Sequence, residues 1–93
     1  MDLPRLPKSS KRLIVKLSEK GQMTQKELIE AVGMPAKTVR YALKRLSELN
    51  LIVSTPNLQD MRSMFYQLNP DHPFRRMEAH ITEAKKLVRK EAA

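Results

Sequence analysis

The sequence predicts a mainly α-helical fold that carries a small β-hairpin, and three observations support this α+β class. Apolar residues recur at helical spacing in several separate segments of the 93-residue chain. The chain has only two glycines, whereas Leu, Lys, Glu and Ala, which favour helices, are frequent. After Asn50 the period changes, and residues 51–55 and 64–68 are predicted to form two strands joined by a turn-rich loop.

Composition narrows the class of partner. The formal net charge is +8, and a domain this basic commonly binds an anionic polymer. The absence of cysteine excludes disulfides and thiolate metal sites. No apolar run approaches the ~20 residues of a membrane span, and the first residues show no signal-peptide pattern. We therefore expect a soluble, cytoplasmic protein, associated with the nucleoid if its partner is DNA.

The chain is predicted to begin with an arm and a first helix. Residues 1–8 contain two prolines and no hydrophobic period, which indicates a flexible N-terminal arm. Ser9 or Ser10 is predicted to cap a helix over roughly Lys11–Lys20, and Gly21 to end it.

The next segments have the parts of a helix-turn-helix. Thr24 and Glu27 have the spacing of a capping box at the start of a helix over about Gln25–Val32. Gly33 supplies a positive-φ stop, and residues 35–49 form the second helix. A plain helical hairpin shares this pattern.

The helix over residues 35–49 has an apolar stripe and, opposite it, a cationic face. A solvated helix face usually mixes charges, so a face of one sign near the helix start favours an anionic partner. The DNA major groove admits such a helix. The simpler alternative is a basic surface helix, and the aromatic residue of the face could merely pack over the turn. The candidate DNA-contacting residues are Lys37, Thr38, Arg40, Tyr41 and Lys44.

A hairpin placed directly after such a helix is a wing. Its loop, residues 56–63, holds Asp60, Arg62 and Ser63, and Arg62 is the one cation in it. Arg62 could be a solvated turn residue, but the aspartate two positions before it favours a role in a DNA groove. An aspartate repels phosphate, so holding Arg62 in one conformation is a plausible reason for its presence.

The last segment, residues 71–93, is predicted to form one helix. Its apolar residues recur at intervals of three and four, which is an a/d seam of about two heptads. We favour dimerisation through this seam, although packing onto the chain's own domain would produce the same pattern. The seam residues are Phe74, Met77, Ile81, Ala84 and Val88.

Residues 11–70 resemble the winged helix-turn-helix domain of the multiple-antibiotic-resistance repressor (MarR) family, including small archaeal regulators. The stretches that carry the resemblance are MTQKELIEAVGMPAKTVRYALKRLSELNLI and DMRSMFYQLNP. It implies a winged helix-turn-helix over residues 9–70, with the helix over 35–49 in the major groove. It also implies that Asp60 holds Arg62 and that Arg62 enters the minor groove. The chain shows no counterpart of the family's long N-terminal dimerisation helix, and one C-terminal helix stands where two are usual.

The function predicted from these features is sequence-responsive binding of double-stranded DNA by a homodimeric transcriptional regulator. An architectural chromatin protein of weak specificity is one alternative, because small archaeal chromatin proteins also combine a winged helix with a coiled-coil helix. A protein-interaction module in a transcription or replication assembly is another. No catalytic set has a usable spacing, so we expect no enzyme. We expect no cofactor or metal either, with His72 and His80 too poorly accompanied and His80 facing solvent. The sequence leaves a small-molecule effector open.

Overall fold

The computed structural model describes residues 6–60 and 62–92, with the side chains at positions 74, 91 and 92 outside the description. Most of the predicted N-terminal arm therefore lies outside the described residues. The elements, in chain order, are α1 (Lys8–Lys20), β1 (Met23–Thr24), α2 (Gln25–Val32), α3 (Ala36–Glu48), β2 (Ile52–Pro56), β3 (Met64–Leu68) and α4 (Phe74–Ala92).

The first helix starts earlier than predicted and is not capped by a serine. Pro7 occupies the N-cap position, and its carbonyl accepts a hydrogen bond from the Lys11 N–H at 3.1 Å. Ser10 lies inside the first turn, and its buried hydroxyl has no hydrogen-bond partner within the described part of the chain. The capping prediction is wrong because the fixed φ of proline already suits the helix entry. Gly21 ends the helix at φ 83°, as predicted.

Helix α1 is the centre of the domain. It packs against α2, α3, α4 and β3. Leu13, Ile14 and Leu17 lie on one side of it and are buried, as the apolar pattern predicted for these three. Val15, which points to another side, is buried as well. A helix buried on more than one side belongs to the interior of a domain.

The helix-turn-helix forms as the sequence predicts. The Thr24 hydroxyl accepts from the Glu27 N–H at 3.2 Å, and the Glu27 carboxylate accepts from the Thr24 N–H at 2.9 Å. This reciprocal pair is the predicted capping box. Gly33 then ends α2 in the left-handed conformation, at φ 65°.

The three strands form one antiparallel sheet in the order β1-β3-β2. The predicted hairpin pairs Ile52 with Leu68 at its base. Strand β1 pairs Met23 with Tyr66, so the wing is joined to the chain segment that directly precedes α2. The sheet therefore fixes the wing relative to the helix-turn-helix.

The end of α3 is tied to the start of α4 through a single carbonyl. Asn50 adopts a positive φ of 59°, which asparagine tolerates better than most residues. Its carbonyl oxygen accepts from the Asn69 side-chain amide at 3.0 Å and lies 3.0 Å from His72 Nδ1. Because a carbonyl only accepts, His72 donates this hydrogen bond through Nδ1.

Helix α4 packs against α1 through the seam that the sequence singles out. Met77 and Ala84 are buried in the domain's own core, while Ile81 and Val88 are half-buried against it. The side chain of Phe74 lies outside the described residues. The seam thus packs within the chain, which is the alternative that the sequence left open, and dimerisation stays a prediction.

The expectation that His80 faces solvent is wrong. His80 is 4% exposed, and its ring centroid lies 6.2 Å from that of His72. Burial, followed by the charge of His72, lowers the pKa of the His80 imidazole. The reason is positional, because residue 80 stands one turn after Met77 and one turn before Ala84 on the buried side of α4.

Candidate nucleic-acid interface

Helix α3 separates its residues into a buried and an exposed face. The buried face holds Val39, Ala42, Leu43 and Leu46. The opposite face contains four of the predicted DNA-contacting residues, all exposed, with Tyr41 the most prominent at 69% exposure: Lys37, Arg40, Tyr41 and Lys44. Thr38 is half-buried beside them. The structure therefore brings the predicted contact residues of α3 together on one surface.

The cations of this face are available to a partner. Within the described part of the chain, none of Lys37, Arg40 and Lys44 takes part in an ion pair. The carboxylate of α3, Glu48, pairs with Arg45 at 3.8 Å near the end of the helix. Both partners of that pair are about half exposed, so it has little energetic weight. The first two turns of α3 consequently present positive charge alone.

The N-terminus of α3 is open, in contrast to that of α2. Pro35 stands at the N-cap, makes no side-chain capping bond, and no acidic residue lies in the first turn. The first N–H groups of a helix carry a partial positive charge and bind anions. Together with Lys37, this end of the helix is suited to a phosphate group.

The wing loop is ordered by its own backbone. The Asn57 N–H donates to the Ser63 carbonyl at 3.2 Å, and the Ser63 N–H donates to the Asp60 carbonyl at 2.9 Å. The Asp60 carboxylate accepts from the backbone N–H of Arg62 at 3.1 Å. No ion pair joins this carboxylate to the Arg62 guanidinium among the described residues. Asp60 therefore shapes the turn that carries Arg62, rather than gripping its guanidinium as the resemblance implies.

An open groove lies between the wing and α2. Asp60, Arg62 and Tyr66 line it on the wing side, and Lys26 and Ile29 line it on the side of α2. The wing arginine thus has a second exposed cation, Lys26, across the groove. Glu30 and Asp60 line the same groove, so a partner that follows the wing would meet two cations and two carboxylates.

A comparison with models of known protein families supports the winged helix-turn-helix fold. Residues 8–53 match a family model described as winged helix-turn-helix DNA-binding. These residues therefore have the fold of a winged helix-turn-helix, with the wing formed by the sheet described above. A comparison with curated proteins finds no match.

Solved structures extend the likeness over almost the whole winged-helix chain. The adhesin competence repressor AdcR of Streptococcus pyogenes has a TM-score of 0.76 at 17% identity and covers 95% of this chain. A mutant of Lactococcus lactis ZitR has a TM-score of 0.78 at 20% identity and covers 99%. A mutant of Escherichia coli MarR complexed with operator DNA has a TM-score of 0.69 at 18% identity and covers 86%. At these identities the likeness shows the fold alone.

The relatives are longer than the winged-helix chain described here. The chain covers 61% of AdcR, 60% of ZitR and 54% of MarR. What those proteins bind or regulate as wholes therefore comes to this chain as a proposal.

Two residues of the winged helix escape the sequence reasoning. Leu58 is 86% exposed at the tip of the wing, in a loop otherwise chosen for its polar turn residues. Lys26 lies beside the wing because β1 joins the wing to the start of α2. The sequence does contain a signal for Leu58, which is an aliphatic residue in a loop of turn-forming and polar residues. The position of Lys26 could not be predicted without the pairing of β1 with β3.

Two further findings bear on other functions. No helix in the described part of the chain is long and apolar enough to cross a membrane. Residues 6–60 and 62–92 contain no group of three His, Cys, Asp or Glu side chains that could hold a metal ion.

Proposed function

We propose that the chain binds double-stranded DNA as a transcriptional regulator, with α3 in the major groove and the wing in the minor groove. The observation that carries the proposal is the exposed face of α3, where Lys37, Arg40 and Lys44 have no carboxylate partner within the described residues. A similar fold in MarR complexed with operator DNA supports the same partner. The protein would act in the cytoplasm, where bacterial and archaeal DNA lies, and by binding rather than by catalysis.

The residues of α3 would divide into those that position the helix and those that read bases. The open N-terminus and Lys37 would contact phosphates, which fix register without carrying sequence information. Arg40, near the centre of the face, would donate to guanine O6 and N7 in the major groove. Thr38, Tyr41 and Lys44 flank Arg40 and would adjust the preference at neighbouring base pairs.

The wing would add a contact in the adjacent minor groove. Narrow A·T-rich minor grooves concentrate negative potential and attract an inserted arginine. Arg62 would be that arginine, while Asp60 and Ser63 hold the loop that presents it. Lys26 lies across the groove and would contact the neighbouring phosphate backbone.

We also propose that the chain works as a homodimer. A dimer of winged helices reads two half-sites about 34–36 Å apart, which raises both affinity and specificity. Because Met77 and Ala84 are buried in the domain core, dimerisation would use the exposed parts of Ile81 and Val88. Ile81→Glu should then give a folded monomer in sedimentation analysis, while Thr82→Glu at the exposed neighbouring position should leave the dimer intact. A monomeric wild-type protein would contradict the proposal.

A selection from random duplexes tests the regulator directly. A regulator should enrich one pseudo-palindromic sequence and bind it roughly 1,000-fold more tightly than unrelated DNA at the same salt concentration. Equal binding across the panel would indicate an architectural protein. The protein-interaction alternative calls for an apolar patch on the face of α3, whereas that face is cationic apart from Tyr41.

A further inference from the structure

Helix α4 has two halves that differ in charge on their exposed side. Its first half contains Arg75 and Arg76 together with the carboxylates Glu78 and Glu83, as an ordinary solvated helix does. From Ala84 to residue 90 there is no carboxylate. The cations of this second half are all exposed, and we call them the α4 cationic face: Lys85, Lys86, Arg89 and Lys90.

The helix dipole accounts for only part of this face. Cations in the last turn of a helix are favourable because they lie near unpaired carbonyl groups. Arg89 and Lys90 occupy the last turn of α4. Lys85 and Lys86 lie further from the helix end, where the dipole effect has fallen off. Lys86 contacts Glu83 at 3.6 Å, but both side chains are more than half exposed, so that ion pair is weak.

The α4 cationic face lies on the side of its helix opposite the domain core. Met77, Ala84 and Val88 pack on the core. At 100° per residue, Lys86, Arg89 and Lys90 lie on the opposite arc, and Lys85 lies at its edge. Arg12, Lys16 and Glu19 of α1 line the same shallow groove as Val88, so α1 adds one net positive charge beside this half of α4. The result is a cationic surface distinct from that of α3.

The two cationic surfaces belong to helices that share a packing partner. Helix α1 packs extensively against both α3 and α4. Within the described part of the chain, α3 and α4 make no extensive contact with each other. Each helix turns its apolar side to the core and its cations away from it. On this arrangement, a straight duplex seated on α3 would leave the α4 cationic face uncovered.

We propose that the α4 cationic face binds the phosphate backbone of a second DNA duplex, so that the protein bridges two duplexes. This inference rests on the proposed function, which brings the first duplex to α3. Charge complementarity identifies the occupant, because the four cations outnumber Glu83, the carboxylate that contacts Lys86 at the edge of the face. They stand without an aromatic or hydroxyl neighbour between them, so the surface recognises phosphates regardless of base sequence.

A membrane surface fits α4 less well. A helix that binds at a lipid interface inserts its apolar face among the acyl chains. The apolar face of α4 is occupied, because Met77 and Ala84 are buried in the domain core and Val88 is half-buried against it. DNA requires the cations alone, and these are exposed.

A bridging assay tests the inference. One duplex is fixed to beads, and the protein is asked to capture a second, fluorescent duplex from solution. Replacing all four residues of the α4 cationic face by glutamine should reduce capture roughly tenfold or more, because phosphate contacts dominate non-specific affinity. Binding of a single duplex of about two helical turns should change less than about threefold. The exposed positions tolerate glutamine, and circular dichroism checks that the variant folds.

Two control variants make the result specific. Arg75→Gln with Arg76→Gln removes two exposed cations from the mixed half of α4 and should leave capture nearly unchanged. A variant of α3 with Lys37, Arg40 and Lys44 replaced by glutamine should lose single-duplex binding. If it does not, the proposed function fails, whatever happens at α4.

Several outcomes would overturn the inference while leaving the proposed function intact. Undiminished capture by the fourfold glutamine variant would show that the second duplex is held elsewhere, for example by the second α3 of a dimer. An equal loss of single-duplex binding would mean that one duplex covers both surfaces. An equal effect of the Arg75 and Arg76 control would show a response to net charge alone. Binding to vesicles of anionic phospholipid that depends on the four residues, with capture unaffected, would assign the face to a membrane.

Discussion

Helices α3 and α4 pack in the same way but differ in the side chains that they expose. Both pack an apolar side on α1 and turn cations outward. In α3 the cations are interleaved with Thr38 and Tyr41, which can contact individual bases. Between residues 84 and 90 of α4 the exposed residues are lysines and arginines alone. The difference teaches that positive charge alone does not distinguish the two helices, because only α3 places hydroxyl and aromatic side chains beside its cations.

The inner sides of the two helices also differ, and this gives the largest expected effect. Leu46 is fully buried on α3, so Leu46→Ala should lower the free energy of unfolding by about 2–5 kcal/mol. Ala84 is equally buried on α4, where the small residue lets the helix lie close to its neighbours. Ala84→Leu should therefore cost about 1–3 kcal/mol through overpacking. Urea denaturation measures both, with the exposed Lys44→Ala as a control that should change stability by less than about 0.5 kcal/mol.

The outer sides can be compared by single substitutions. Arg40→Ala should weaken the free energy of binding by roughly 1–3 kcal/mol at the preferred site and by far less on random DNA. Arg89→Ala should leave the binding of a single duplex nearly unchanged whatever its sequence, because Arg89 would contact the phosphates of the second duplex. Fluorescence anisotropy on matched duplexes separates the two patterns. An equal loss on both duplexes for Arg40→Ala would make it a phosphate contact and remove the distinction between the helices.

The wing loop presents a third cationic contact, Arg62, beside those of the two helices. Arg62→Ala should weaken binding most on sites with A·T-rich flanks and reduce the salt dependence by about one phosphate contact. Asp60→Ala should also weaken binding, although it removes a negative charge, because the Arg62 N–H loses its acceptor.

Asp60→Asn is the matched control for the wing, since its amide oxygen can still accept that hydrogen bond. We expect it to bind at least as well as the wild type. If Asp60→Ala binds more tightly instead, the carboxylate only repels phosphate and has no part in shaping the turn.

The smallest effect concerns pH and distinguishes α4 from α3, whose exposed face has no histidine. The pKa of His80 is lowered in the folded state, so the unfolded chain binds the proton more readily. The contribution of neutral His80 to the free energy of unfolding is therefore fully present above the ordinary histidine pKa of about 6.5. It is lost as the pH falls through the lowered pKa of the folded state. The melting temperature should accordingly fall below pH 6.5. His80→Gln should flatten this fall, and an unchanged fall would assign it to other groups.

The local signals in the sequence were sufficient for the frame of the fold. The capping box of Thr24 and Glu27, the positive φ of Gly33 and the turn at Asn50 depend on neighbouring residues only, and the structure has all of them. The same holds for the exposed cations of α3, because a strong 3.6-residue period fixes which side faces the core.

The predictions that differ from the structure depended on where a loop closes, where a helix starts and which positions of a helix are buried. Asp60 was expected to hold a guanidinium, but the loop closes so that its carboxylate reaches a backbone N–H first. Ser10 was expected at a helix end, but the helix starts at Lys8 and places the serine in the interior. His80 sits at a position of the apolar stripe, and only its polarity argued against burial.

The shared carbonyl of Asn50 has a consequence for engineering. Its two hydrogen-bond partners, Asn69 and His72, come from the segment between the wing and α4. A chain shortened to end at residue 68 would remove both donors at once and leave a left-handed residue to hold its conformation alone. The segment between the wing and α4 therefore supports the helix-turn-helix: deleting it would loosen the end of α3 and, through the base of the hairpin, the wing.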